Sequence, residues 1–170
     1  IKIGAIPICS LPTHRWAEVS YLAEAAEARV HAIPAGTVMG FDYEGFADQI
    51  RAAVPSMEFI LTLGKPERPN MASINDFIDS DVEIDMAREE LAPYRPDPME
   101  PALFQLSGGT TGVPKIIPRT HNDYYYNVKC MAEAHEHNEQ IRFVAPLPMM
   151  HNAPLACMIL PTHIKGGCIM

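Results

Sequence analysis

A chain of 170 residues, 48% hydrophobic and 20% charged, is long enough for one domain with a real core and too apolar to be disordered. A formal net charge of -8 with no basic run argues against a nucleic-acid surface, and the longest apolar stretch, residues 153–161, is far too short to span a bilayer. The four cysteines (Cys9, Cys130, Cys157 and Cys168) form no C-x-x-C pair and no signal peptide opens the chain, so free thiols in the reducing cytoplasm are expected.

In chain order, residues 2–9 read as a buried β-branched strand. Val19, Leu22, Ala23, Ala26 and Val30 recur at helical spacing beside Glu18, Glu24 and Glu27, which predicts an amphipathic helix over 16–30. His31-Ala32-Ile33 then makes a short strand that closes a β-α-β unit. Phe46, Ala47, Ile50 and Val54 mark a second helix with Asp42 as its cap, and 59–63 is a third strand. Strands alternating with helices imply an α/β fold, with mostly parallel sheets and helices on both faces. Residues 1–63 form this β-α-β-α-β unit, 64–100 a connector, and 101–170 the segment that carries the chemistry. Within the connector, the acid- and proline-rich stretch 76–100 predicts only a short helix near Ala87, and its charge reads as a solvated face.

Ala102-Leu103-Phe104-Gln105 is an apolar run that reads as a buried strand, and Ile116-Ile117-Pro118 can pair back on it as a hairpin. Residues 120–137 predict a helix with a capping-box-like start at Thr120 and Asp123. Its apolar stripe is read as Tyr125, Val128, Met131 and Ala132, and the run Tyr124-Tyr125-Tyr126 as packing rather than base stacking. A strand over 141–145 leads to the loop 146–152. Pro154 then suits the first turn of a helix to about residue 163, which Pro161 should kink. There is no internal repeat.

The stretch between the hairpin strands is Leu106-Ser107-Gly108-Gly109-Thr110-Thr111-Gly112-Val113-Pro114-Lys115. Three glycines and three hydroxyls in the six residues from Ser107 to Gly112 do not fill a core. Glycine admits positive φ and lets backbone N–H groups converge on an anion, the hydroxyls add donors, and lysine adds charge. That is the chemistry of a polyphosphate cradle. Its spacing matches neither a Walker loop, because Val113-Pro114 separate Gly112 from Lys115, nor a G-x-G-x-x-G fingerprint, because Ser107 stands two before Gly109.

Residues 107–115 resemble the phosphate-binding loop of the adenylate-forming ligase superfamily. The continuation Lys115-Ile116-Ile117-Pro118-Arg119-Thr120-His121-Asn122-Asp123-Tyr124 is similar to its aryl acid–AMP ligase branch, the 2,3-dihydroxybenzoate and salicylate activating enzymes of siderophore assembly. Gly4-Ala5-Ile6-Pro7, Leu11-Pro12-Thr13-His14-Arg15, Phe41-Asp42-Tyr43 and Pro146-Leu147-Pro148-Met149-Met150-His151-Asn152 carry the resemblance over nearly the whole chain.

The resemblance implies part of a large N-terminal domain that binds ATP and an aromatic carboxylic acid. The acid would be adenylated with ATP and Mg2+, then passed to a carrier-protein thiol or, alternatively, to CoA; a non-catalytic nucleotide-binding module is the other reading. Ser107, Thr110, Thr111 and Lys115 would touch the phosphates through side chains, and Gly108, Gly109 and Gly112 through backbone. The catalytic lysine of the family would lie in a C-terminal domain absent from this chain, and no metal ligand is expected within it. His151 would border the carboxylate and Asn152 would hydrogen-bond a ring hydroxyl, although a packed or capping histidine is the plainer reading of His151.

Two positions depart from the resemblance. Ala153 stands where the dihydroxybenzoate and salicylate enzymes usually have an aromatic residue, which opens a pocket wall by a volume suited to another ring. Cys157 stands where dihydroxybenzoate enzymes have serine and salicylate enzymes tend to have cysteine, a poor reader of a 3-hydroxyl. The expected acid therefore lacks that hydroxyl and is salicylate-like or a larger fused-ring acid. His135 and His137 diverge by about 200° on a helix and do not chelate a metal together. His14-Arg15 fits a structural polar contact better than a place beside the site. A chain that starts at Ile1 and stops at Met170 inside apolar runs reads as a piece of a longer enzyme, inactive in isolation.

Overall fold

The computed structural model describes residue 1 and residues 3–78, 89–107, 112 and 114–170. The chain divides into two units, His14–Ala87 on one side and Ile1–Thr13 with Arg88–Met170 on the other.

The unit His14–Ala87 is built on helix α1 (Trp16–Ala25), strand β1 (Val30–Pro34), a small hairpin of β2 (Thr37–Val38) and β3 (Phe41–Asp42), helix α2 (Tyr43–Ala53), strands β4 (Phe59–Leu63) and β5 (Ala72–Ser73), and the turn-length helix α3 (Asn75–Ile78). Strand β4 lies between β1 and β5, parallel to both, with Val30 opposite Phe59 and Leu61 opposite Ala72. The β-α-β unit is therefore β1-α2-β4. Asp42 caps α2 as expected, its Oδ1 accepting from the Gly45 N–H at 2.8 Å. The apolar stripe of α2 is buried on two sides. Ala47 packs with Ile33 and Ile60 of the sheet, and Ile50 and Val54 pack with Ala23 of α1.

Helix α1 ends five residues short of the sequence reading. Glu27 adopts φ 47°, its N–H donates to the Glu24 carbonyl at 3.1 Å, and the Ala28 N–H reaches back to Ala23 at 2.8 Å. This is a Schellman stop, and it frees Val30 to start β1. Glycine is the residue that takes such a φ without steric cost. Glu27→Gly is accordingly expected to raise stability by about 0.5–1 kcal/mol, read as a higher urea midpoint at unchanged slope.

Glu44, in the first turn of α2, is 1% exposed. Its Oε1 accepts from the N–H groups of Gly36 at 2.8 Å and Glu67 at 3.0 Å, and its Oε2 from that of Arg68 at 2.8 Å. A carboxylate saturated by backbone donors ties the 64–70 loop to the start of α2. Arg15 opens α1, with its N–H on Glu18 at 2.9 Å and its guanidinium 4.1 Å above the Phe41 ring. These contacts give Arg15 the structural role expected of it.

In the other unit, β6 (Pro101–Leu106) and β7 (Ile116–Thr120) form the antiparallel hairpin read from the sequence, with Leu106 opposite Ile116. The strand expected over 2–9 shrinks to one parallel bridge of Ile8 with Phe104; Lys2 lies outside the described residues. Gly4 at φ 76° turns the backbone and Pro7 has no N–H to donate, so the segment cannot run as a ladder. It joins the β6 side of the molecule instead of opening the first β-α-β. Helix α4 (His121–Ala134) starts on Thr120, whose Oγ1 accepts from the Asp123 N–H at 3.1 Å. Its buried face is Tyr124, Val128 and Ala132; Tyr125, assigned to the stripe from the sequence, is 61% exposed. The helix stops at Ala134 because Glu136 turns to φ 51° and the His137 N–H closes back on Ala132 at 2.9 Å.

Strand β8 (Arg142–Phe143) is shorter than expected and pairs in parallel with β9 (Cys168–Ile169). The last helical run is α5 (Asn152–Pro154), a π-helical turn (Leu155–Ile159) and α6 (Leu160–Ile164). Pro161 has no N–H for the carbonyl four residues back, and the irregularity it imposes takes the form of this widened turn just before it. Ala87, near which the sequence predicts a short helix, lies outside the described residues, but residues 89–91 just after it are helical and run into a 3-10 turn at Ala92–Tyr94. No helix among the described residues is long and apolar enough to cross a membrane.

Candidate active site

Strands β6 and β7 bring the two ends of the glycine-rich loop together. The Ser107 N–H donates to the Lys115 carbonyl at 3.0 Å, and the Lys115 N–H donates to Ser107 Oγ at 3.0 Å. This reciprocal pair closes the neck of the loop. The Ser107 hydroxyl accepts from Lys115 and so keeps its own hydrogen for a ligand. Lys115 is exposed, and Gly112 sits at φ 146°, a conformation that favours glycine even though nothing lies within 4 Å of where a Cβ would project. Gly108, Gly109, Thr110 and Thr111 lie outside the described residues. What is described fits an anion: a closed neck with an exposed lysine and a hydroxyl donor at its rim.

The predicted aryl-acid residues gather at the start of the last helical run. His151 caps it, its Nδ1 accepting from the Ala153 N–H at 3.2 Å. The capping role allowed for in the sequence is thus real, and it fixes chemistry as well. An Nδ1 that accepts leaves the neutral ring's proton on Nε2, which makes that nitrogen a donor. Asn152 and Ala153 are half-buried. Cys157, also half-buried and a free thiol, packs against the cluster of Cys9, Leu103, Tyr124, Val128 and Ala156.

Two residues that the sequence did not place at the site, Gln105 and Tyr124, connect these parts. Gln105, 3% exposed on β6, donates from Nε2 to Tyr124 Oη at 3.3 Å and to Cys9 Sγ at 3.6 Å. The Tyr124 O–H donates in turn to Asn152 Oδ1 at 3.3 Å. Burial, partly offset by the Gln105 hydrogen bond, pushes the Tyr124 phenol up to about 12, so it keeps its proton at neutral pH. Arg119 lies 5.0 Å from the centre of the Tyr124 ring. A polar chain thus runs from the strand that enters the glycine-rich loop to the residue that begins the last helical run. The signal was present in the sequence: Gln105 is a lone polar residue in a buried strand, and a helix capped at Thr120 places 124, 128 and 132 on one face.

Among the described residues no group of three His, Cys, Asp or Glu side chains is placed to hold a metal ion. His135 and His137 stand edge to face, and His137 Nδ1 hydrogen-bonds Thr162 Oγ1 at 3.1 Å, a structural tie between the turn after α4 and α6.

All of residues 1–170 match the family model described as AMP-binding enzyme. The chain is 34% identical to the vibriobactin-specific 2,3-dihydroxybenzoate-AMP ligase of Vibrio cholerae, over 100% of its own length and 30% of that protein. It is 32% identical to the 2-hydroxy-7-methoxy-5-methyl-1-naphthoate–CoA ligase of Streptomyces carzinostaticus, over 100% of its own length and 31% of that protein. The apo structure of Mycobacterium smegmatis MbtA superposes with a TM-score of 0.83 at 31% identity, covering 99% of this chain and 29% of that one. The chain therefore spans about 30% of the length of the relatives it matches.

Proposed function

We propose that this chain, which belongs to the AMP-binding enzyme family, is the phosphate- and acid-binding portion of an ATP-dependent aryl acid–AMP ligase. The observation that carries this reading is the polar chain Gln105–Tyr124–Asn152. It holds the loop-entry strand and the predicted acid pocket in one unit.

In this reading Ser107, Gly108, Gly109, Thr110, Thr111, Gly112 and Lys115 cradle the β- and γ-phosphates of ATP. Their donors stabilise charge that builds as pyrophosphate leaves. His151 presents its Nε2 proton to the acid's carboxylate, orienting one oxygen toward the α-phosphate. Asn152, Ala153 and Cys157 receive the ring. Mg2+ would enter on the phosphates, since the described residues offer it no cluster of their own. The acyl group then passes to a carrier-protein thiol, as siderophore and other secondary-metabolite assembly in the cytoplasm requires; a CoA acceptor is the second reading, favoured by the naphthoate–CoA ligase similarity.

Small Ala153 beside weakly polar Cys157 supports an acid without a 3-hydroxyl, salicylate or a fused-ring 2-hydroxy acid. The test is acid-dependent ATP–pyrophosphate exchange by the full-length protein. Salicylate and 2-hydroxy-1-naphthoate are expected to exceed 2,3-dihydroxybenzoate in kcat/KM by about tenfold or more. A preference for 2,3-dihydroxybenzoate refutes the acid assignment, and no exchange with any aryl acid refutes the ligase reading. Supplying CoA or a carrier protein then separates the two acceptors.

A further inference from the structure

The geometry points to Tyr124 and Gln105 as positioning residues that set Asn152 as a hydrogen-bond donor, selecting aryl acids with an oxygen acceptor beside the carboxylate over those with an N–H donor there. This rests on the ligase reading above and goes on to say how its pocket reads the acid.

The direction of the chain follows from counting hydrogens. Gln105 Nε2 has two, and its partners are Cys9 Sγ at 3.6 Å and Tyr124 Oη at 3.3 Å. Tyr124 therefore accepts from Gln105, and its single proton goes onward to Asn152 Oδ1 at 3.3 Å. With its carbonyl engaged from the protein side, Asn152 has its Nδ2 hydrogens left for a ligand. Gln105 and Tyr124 are 3% and 5% exposed, so water does not compete to reverse the order. The high pKa of Tyr124 keeps the donated proton in place across neutral pH.

A phenolic oxygen ortho to the carboxylate accepts from Asn152 Nδ2. An ortho amino group brings two more donors and a weakly basic nitrogen, which leaves both partners poorly matched. Neither Tyr124 nor Gln105 needs to touch the acid, so their effect is confined to how the ortho group is read.

The experiment compares salicylate, benzoate and 2-aminobenzoate in ATP–pyrophosphate exchange by the full-length protein and its Tyr124→Phe variant. Phenylalanine keeps the buried ring and removes only the hydroxyl. The expected result is an approximately tenfold rise in KM for salicylate and no change for benzoate, with salicylate's advantage over 2-aminobenzoate shrinking by the same factor. Gln105→Leu, which removes the donor that holds the Tyr124 proton in direction, is expected to shift the same ratio in the same sense. Equal losses on salicylate and benzoate would reduce both residues to packing and overturn the inference, as would an unchanged ratio. A wild-type protein silent on all three acids would instead overturn the ligase reading itself.

Discussion

Replacing Lys115 by alanine is expected to lower acid-dependent ATP–pyrophosphate exchange by about 100- to 1000-fold, the usual loss when one preorganised donor to developing charge is removed. The size of the effect rests on where the side chain stands. The Lys115 backbone is held by the pair it makes with Ser107, which alanine leaves intact, so only the ammonium is lost. Lys115 is exposed at the neck of the loop and makes no ion pair among the described residues, so its deletion leaves no buried charge behind and the fold is expected to be unaltered. The loss should fall on both kcat and KM for ATP, because the phosphates carry charge before and during the reaction. Lys115→Arg restores charge but not the compact ammonium, and partial recovery is expected. Exchange by the alanine variant within a fewfold of wild type would remove Lys115 from the phosphate site.

The second large effect concerns stability. Glu44→Gln is expected to cost about 3 kcal/mol, because an amide offers one acceptor oxygen where three backbone N–H groups now meet a buried carboxylate, and turns its own NH2 toward donors. For a chain of 170 residues this corresponds to a fall in Tm of about 10 °C. The pH dependence has a definite sign. Burial raises the Glu44 pKa, but the N–H groups of Glu67, Gly36 and Arg68 more than offset it and hold the carboxyl below the ordinary 4.5. A depressed folded-state value means that the contribution is fully present above about pH 4.5 and is lost as pH falls through the lower folded value. Glutamine does not titrate. The stability gap between wild type and Glu44→Gln, followed by urea unfolding, should therefore be constant near neutrality and narrow below pH 4.5. A pH-independent gap would mean that the carboxylate is not the species held in the native state.

These two residues differ in how far the sequence exposes them. Lys115 was assigned from the loop alone, since its glycines, hydroxyls and lysine are an arrangement that packing does not explain. Glu44 looks like any acid in the first turn of a helix; its role depends on the 64–70 loop folding back over it. Tyr124 lies between these cases. Its helix, its N-cap at Thr120 and the composition of its buried face were all readable, yet the reading took the neighbouring tyrosine. One position of phase on a helix is about 100°, enough to exchange the core for solvent.

The helix ends show the same division. Both α1 and α4 ran too long in the sequence reading because Glu27 and Glu136 carry no glycine to announce a left-handed stop. Only the back-closing bonds from Ala28 and His137 reveal where those helices end.

By itself the sequence determined the alternation of α and β elements, the caps at Asp42 and Thr120 and the β6–β7 hairpin that carries the glycine-rich loop. Each of these is a local matter of periodicity, turn chemistry or a short run of special residues. Tertiary structure alone decided that the segment around Ile8 pairs with Phe104, that Glu44 gathers three distant N–H groups, and that Gln105 reaches Asn152 through Tyr124. Those contacts join residues 8 to 96 positions apart, or depend on which face of a helix is turned inward. Such distances leave no periodic trace in a chain, and only the folded backbone brings the groups within hydrogen-bonding range.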